Sequence, residues 1–508
     1  VLARILKGTA LGVLALLLVA GGIFVYRARD RHPGYRVDLR VAPGPPAPLR
    51  AGFAAVPVTP DVRETWTDRN GNARIDPDEP WQDADGDGRF DAFWLAGFHG
   101  GRPATGVHDD LWARALVLDD GRTRLALVVL DAIGFMHDQV VEVRERIPDA
   151  LGVTYTIVCS THTHQAPDLM GVWGPKLGRS GIRPDYLEQV IEGAAEAVED
   201  AVAALRPARL RLAAVPEAAA ELVTDSRPPV VLDPGVRILA ARDAETGEPL
   251  GQLVTWGNHP ETTWSHNLLV SSDFPHYVRQ ALERDLGGIS VYASGAIGGL
   301  MTTLPDFGVR DPETGVLWVE PSFEKARAQG ERVAALAAAA LRGEHGRVAE
   351  LARGSIALRA RTLDVELDNG GLMAAALLGF IPRGFSRFGA LRSEVAAVRL
   401  GPASFLAVPG EIYPEIVNGG IESPDGADFN IAPVEEPPLR ELMPGRFRFV
   451  LGLANDALGY IIPRSQWDDE PPWLYGAEQE TYGEIVSMGP ETGPLLHAAF
   501  REVLAELD

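Results

Sequence analysis

Two histidines one residue apart, His162 and His164, close an apolar run in the stretch CSTHTHQAPD (159–168). Imidazole nitrogen is a good donor to Zn²⁺, which takes nitrogen and carboxylate oxygen in a roughly tetrahedral shell and, in catalytic sites, keeps one position for water. A lone histidine-x-histidine pair is common by chance and more often structural, so further donors are needed. His259 in GNHPET and Glu411 in VPGEIYPE offer a second nitrogen and an oxygen, each just beyond another apolar run. Alone, each reads as a turn residue; with His162 they make a zinc-type donor set. A second chemistry lies upstream. Asp68, Asn70, Asn72, Asp76 and Glu79 occupy positions 1, 3, 5, 9 and 12 of DRNGNARIDPDE (68–79). That is the ligand spacing of an EF-hand-type calcium loop, although Ala73 stands where glycine usually makes the turn. A partial repeat, DADGDGRFDAFW (83–94), sets out Asp83, Asp85, Asp87 and Asp91 in the same way, but ends on Trp94 where a bidentate carboxylate is wanted. An acidic solvated loop is the alternative; the regular alternation of oxygen donors points to Ca²⁺.

These donors are far apart in sequence and need a scaffold that brings them together. From residue 51 onward, short apolar runs alternate with amphipathic stretches, the pattern of an α/β domain with a substantially buried sheet. LALVVLD ends in Asp131, YTIVCSTHTH in His162 and His164, LGQLVTWGNHP at His259, SVYASGAIGG in small residues, and SFLAVPGE in Glu411. Helices are expected between them over 186–205 and 323–342, both rich in Ala, Leu and Glu. In open α/β sheets, functional groups collect beyond the carboxyl ends of strands. His162, His259 and Glu411 are therefore expected at one edge. The apolar segment 370–385 is too short to span a bilayer and reads as a buried helix, with the lip of a lipid site as the alternative.

The chain has 508 residues, 46% hydrophobic and 23% charged, which is the composition of a folded protein. A formal net charge of −23 and the absence of a basic stripe argue against a nucleic-acid partner, because binding a polyanion needs clustered Lys and Arg. Cys159 is the single cysteine, so no intrachain disulfide forms, and the thiol reads as buried and inert. Residues 8–26, GTALGVLALLLVAGGIFVY, run without a charge and as a helix would reach roughly 29 Å. Residues 1–31 are thus expected to anchor the protein to a membrane through one uncleaved transmembrane helix, with a cleaved signal peptide as the alternative; Arg and Lys flank it on both sides and do not set its orientation, and the catalytic part is expected to be periplasmic or extracellular. The Pro-rich stretch 32–50 is expected to be a linker, and 51–508 one large catalytic domain carrying the Asp-rich insertion 68–94.

The segments STHTHQAPD, GNHPETTW, AVPGE and GLANDALGY occur in the order and approximate spacing of the neutral/alkaline, non-lysosomal ceramidase family. The sequence resembles that family over about residues 50–508. The resemblance implies a zinc amidohydrolase that cleaves the N-acyl bond of ceramide, with zinc on His162, His259, Glu411 and Tyr460 of GLANDALGY. A phenol is an uncommon zinc ligand, and chemistry alone would leave Tyr460 in the core or behind the ligands. The resemblance also implies that His164 contacts substrate, that Arg227 in TDSRPP is a substrate-directed arginine, and that Tyr482 in ETYGEI is a further active-site tyrosine. Two departures stand out. AIGGLMTT puts Met301, followed by Thr302, where the family has a serine, and these two are expected to line the substrate pocket. No C-terminal immunoglobulin-like domain is expected after the catalytic region. The sequence is thus expected to encode a membrane-anchored zinc amidohydrolase acting on a lipid or related N-acyl amide. A zinc esterase or lactonase would use the same groups. An alternative of another class is a non-catalytic, calcium-dependent envelope binding protein with a degenerate site.

Overall fold

The apolar runs of the sequence become the strands of two sheets stacked face to face. The structure, a computed structural model, describes residues 2–176 and 178–507, and of residues 2–8, 10, 11, 13 and 300 the backbone alone. The smaller sheet runs in the order β1 (Asp38–Val41), β10 (Ile356–Glu366), β11 (Ala390–Leu400), β12 (Ala403–Ala407) and β13 (Phe447–Leu451). The larger has eight main strands: β2 (Ala47–Pro57), β3 (Trp112–Asp119), β4 (Arg124–Leu130), β5 (Tyr155–Ser160), β6 (Arg206–Val215), β7 (Val236–Asp243), β8 (Pro249–Trp256) and β9 (Ile289–Ser294). Their order is β9–β8–β7–β6–β2–β3–β4–β5. Its outermost pairs, β8 with β9 and β4 with β5, are parallel, and the pairs between them antiparallel.

Side chains alternate across each strand, so one strand feeds two cores. Leu116 and Leu118 of β3, Leu127 and Val129 of β4, and Ile157 of β5 face Leu358 of β10, Val398 of β11 and Phe449 of β13 between the sheets. The opposite faces of the same strands, through Ala115, Val117 and Val128, pack on α3 (Pro184–Ala203), with α2 (His137–Arg146) joining the same cluster through Val140 and Val143. Two further helices, α4 (Phe274–Leu286) and α5 (Phe323–Arg342), cover β7, β8 and β9. The smaller sheet is covered by α7 (Thr492–Ala505) through Leu496, Phe500 and Val503. The expected α/β class is observed, as four layers of helix, sheet, sheet and helix.

The larger sheet curls until its edges meet. Ser294 Oγ, ending β9, donates to the Thr161 carbonyl just beyond β5 at 2.7 Å. The Gly452 and Ser160 amides donate to the carbonyls of Ser294 and Leu453 at 2.9 and 3.1 Å, which adds the end of β13 to the same place. Strands remote in sequence thus deliver their carboxyl ends to one spot.

Some expectations change. The stretch 32–50, expected as a linker, is tied into the fold: it contains β1 and the start of β2, and the Val37 amide donates to Thr362 Oγ1 at 2.8 Å. The free edge of β10 captures this short alternating segment. The segment 370–385 contains α6 (Gly370–Leu378), of which only Ala376 is buried, so the buried-helix reading fails. Residues of 8–26 do lie in a helix, α1 (Leu2–Ala28). Among the described residues, however, no helix is long and apolar enough to cross a membrane, so the expected spanning anchor is not supported. The side chains of Gly8, Ala10, Leu11 and Val13 within that expectation lie outside the described residues.

Candidate metal centre

His162 lies two residues beyond β5 with φ of 70°, a left-handed conformation that costs a non-glycine residue on the order of 1–3 kcal/mol. Its amide bonds the Ala132 carbonyl at 2.9 Å and its Nδ1 the Ile133 carbonyl at 2.5 Å, which hold it there. His259, beyond β8, places both its amide and its Nδ1 on the Met301 carbonyl, at 2.9 and 2.8 Å. Glu411 and Tyr460 are directly paired in a short parallel bridge, Glu411–Ile412 with Tyr460–Ile461, which follows β12 and β13. His259 Nε2 is 3.1 Å and His162 Nε2 3.4 Å from Glu411 Oε2, and the Tyr460 hydroxyl is 3.4 Å from His259 Nε2. All four side chains are buried.

Each Nδ1 meets a carbonyl, so in its neutral form each ring carries its hydrogen there and turns an Nε2 lone pair toward Glu411. Two lone pairs and a carboxylate facing one another repel unless a proton or a metal cation lies among them. Donors each about 2.0–2.1 Å from a tetrahedral ion stand roughly 3.3 Å apart, which is the spacing of this cluster. The donor set therefore fits zinc. His164 also sits within 4.8 Å of the other two imidazoles. Its Nδ1 instead faces Glu261 Oε2 at 3.2 Å, so Glu411 and Tyr460 complete the shell better. Burial, then the neighbouring imidazoles, holds the His164 ring well below its ordinary pKa, and it is neutral.

His162, His164, Glu411 and Tyr460 line a cavity of about 360 Å³ whose other walls are mostly apolar, with Phe98, Trp173, Leu372, Ala376 and Met488 among them. Gly97, at φ of 78°, allows the Phe98 loop onto the His164 ring, since a Cβ there would lie 2.5 Å from Nδ1. Tyr482 stands at the rim, half exposed, its ring 5.8 Å from that of Tyr460. Arg227 does not face the cavity. Its Nη1 and Nη2 bond Glu484 at 2.6 and 2.7 Å and the carbonyls of Tyr482 and Gln466 at 2.9 and 2.8 Å. It positions the Tyr482 segment. Met301 and Thr302 are also displaced from the expected pocket. Met301 is fully buried with Trp256 and Val278 toward the α4/α5 layer, and its sulfur accepts the Asp233 amide at 3.4 Å. Its contribution to the site is the carbonyl that orients His259. The Thr302 hydroxyl is buried against Glu261. Sequence reasoning missed Glu261; its one signal is a carboxylate two residues after a candidate ligand.

A family model described as Neutral/alkaline non-lysosomal ceramidase, N-terminal, matches residues 84–339. The chain belongs to this family. The neutral ceramidase of Mycobacterium tuberculosis is 28% identical over 209 residues, 37% of this chain and 32% of that protein, so the match spans about a third of that relative's length. Two solved structures share the fold with a TM-score of 0.63 at 17% identity: the neutral ceramidase from Pseudomonas aeruginosa and a ceramidase complexed with C2. Each likeness covers 91% of this chain, and 74% and 75% of the respective structures. In this family member His162 and His259 fall inside the residues matched by the model, and Glu411 and Tyr460 beyond them.

The Asp-rich insertion folds as two loops of matching backbone. In the first, the Gly71 and Ala73 amides donate to the Asp68 carboxylate at 2.7 and 2.8 Å. In the second, Gly86 and Gly88 donate to Asp83 at 2.7 and 2.9 Å. Glu79 accepts from the Arg69 and Asp76 amides, at positions 2 and 9 of the first loop. At the same positions of the second loop, Ala84 and Asp91 donate to Glu64 at 3.1 and 2.7 Å. Trp66 and Trp81 pair across the junction. The carboxylate missing at Trp94 is thus supplied by Glu64, four residues before the first loop, as Glu79 stands four before the second. Donor atoms of Glu64, Asp83 and Asp85, and likewise of Asp85, Asp87 and Asp91, lie within 4.8 Å of one another.

Proposed function

We propose that the protein is a zinc-dependent amidohydrolase that cleaves the N-acyl bond of a lipid amide of the ceramide type. The observation that carries this reading is two imidazole Nε2 atoms, a carboxylate and a phenol converging at the base of an apolar cavity in a member of the ceramidase family. His162, His259, Glu411 and Tyr460 would hold the ion. A zinc ion held there supplies an acidified water and polarises an acyl carbonyl. The other roles belong to the chain's own groups. Phe98, Leu372 and Ala376 receive an alkyl chain and exclude bulk water. His164 Nε2, buried without a hydrogen-bond partner at the cavity wall, is placed to accept a hydrogen bond from a substrate N–H or O–H. Tyr482, held through its carbonyl by Arg227, meets the polar end of the substrate at the rim.

The reading includes Ca²⁺ in both Asp-rich loops, with Glu79 and Glu64 as their bidentate carboxylates. The position-by-position repetition of the backbone supports it. The activity is tested by offering N-acyl amides of long and short chains, and the matching esters, to the purified protein and measuring released fatty acid. Amide cleavage that prefers long chains is expected. Ester cleavage with no amide cleavage would replace the amidase reading with an esterase.

A further inference from the structure

We infer that the cavity rim formed by α6 and the turns beside it is a docking surface for a lipid bilayer, on which the protein rests peripherally with the cavity mouth against the hydrocarbon. The inference rests on the lipid substrate proposed above. α6, with the sequence GGLMAAALL, has no charged or polar side chain on any face, yet buries only Ala376. A helix apolar all round belongs in a protein core or in a membrane. Leu372 and Ala376 wall the cavity, while Leu378 turns outward and is 54% exposed. Around it stand Phe388, 65% exposed, Ile485, 54%, and Val172, 46%, the last also lining the cavity.

These residues form one face. Asn369, which caps α6, donates to the Ile485 carbonyl at 2.9 Å. Gly171, next to Val172, lies against the Phe380 carbonyl and Pro382, just past α6. Phe388 packs on Phe385 and on Phe24 of α1, with ring centroids 6.2 and 5.9 Å apart. α1 widens the face rather than covering it, since its side chains from Leu14 to Tyr26 are exposed. Single exposed leucines are ordinary, but a continuous apolar face around the mouth of an apolar cavity marks an interaction site. Arg27, Arg29 and Arg31 border it in a chain of net charge −23, a local cationic edge suited to lipid phosphates.

The test is flotation of the full chain with phosphatidylcholine vesicles that contain no amide substrate, alongside turnover of a water-soluble, short-chain N-acyl amide. The Leu378→Glu/Phe388→Glu double variant changes neither cavity wall nor metal donors, and Val316→Glu places one such charge on the exposed hairpin that packs on α5. Wild type and Val316→Glu should float with the vesicles, and the double variant should bind at least tenfold less while hydrolysing the soluble amide at the wild-type rate. If the double variant loses soluble turnover as well, Leu378→Glu alone decides by the same criterion. Equal flotation of variant and wild type overturns the docking surface. So does binding confined to anionic vesicles and abolished by salt. Intact flotation with no amide turnover in any protein would overturn the proposed activity and leave the docking surface standing.

Discussion

Replacing Arg227 with alanine separates an arginine that latches the site from one that meets the substrate. Arg227 is 4% exposed and its partner Glu484 3%, with the two joined by bonds of 2.6 and 2.7 Å. The substitution leaves a buried carboxylate without a counter-ion and the Tyr482 and Gln466 carbonyls without that donor. Breaking a buried pair from one side costs about 3–5 kcal/mol. Arg227→Ala should therefore lose about 4 kcal/mol of stability in urea titrations, a value that includes the freed carbonyls. Arg227→Ala/Glu484→Ala removes both charges and should lose at least about 2 kcal/mol less than the sum of the single variants. Activity should suffer through Tyr482, with KM rising more than kcat falls. An Arg227→Ala protein as stable as wild type but with kcat abolished would refute the latch and return the arginine to the substrate.

Met301→Ser should cost about 2–5 kcal/mol by emptying a fully buried site, and leave the relative rates on amides of different chain length unchanged. A changed chain-length preference would place Met301 at the substrate. Calorimetry should find two Ca²⁺ events, with Glu64→Gln weakening only the second loop and Glu79→Gln only the first, each at least tenfold; isotherms identical to wild type would leave these loops as solvated acidic turns. Burial pushes the Glu415 carboxyl up to about 7 from 4.5. Between those pH values the folded chain keeps a proton that the unfolded chain releases, so this group's contribution to stability falls as pH rises through the window. Glu415→Gln should thus raise stability at pH 8 by on the order of 3 kcal/mol and leave it nearly unchanged at pH 4. An equal change at both pH values would mean that the carboxyl is not neutral at the lower pH.

The site was more legible in the sequence than the fold that carries it. His162, His259 and Glu411 each end an apolar run, and strand ends are where a sheet presents polar groups. Tyr460 needed the resemblance, because nothing in GLANDALGY marks a phenol as a ligand; the parallel pairing that sets it beside Glu411 is tertiary. The second sheet was hidden, since strand periodicity tells that a face is buried but not what buries it. Arg227 and Met301 were misplaced for a related reason. A motif assigns a position, whereas Glu484, 257 residues from Arg227, and the alternation that turns Met301 toward α4 decide where the side chain goes. The role of Glu64 was unreadable because it completes a loop to which it does not belong in sequence. The linker and the buried helix failed because composition does not record a free strand edge or an uncovered helix face.

Zinc occupancy and amide turnover measured on the same samples test the centre at His162, His259, Glu411 and Tyr460 most directly. Wild type should carry about one zinc per chain, with turnover falling as a chelator strips the metal and returning in step as zinc is restored. His259→Ala should lose both, whereas His164→Ala should keep the metal and lose turnover. Full zinc in His259→Ala, or amide turnover that survives complete removal of metal from wild type, would contradict it.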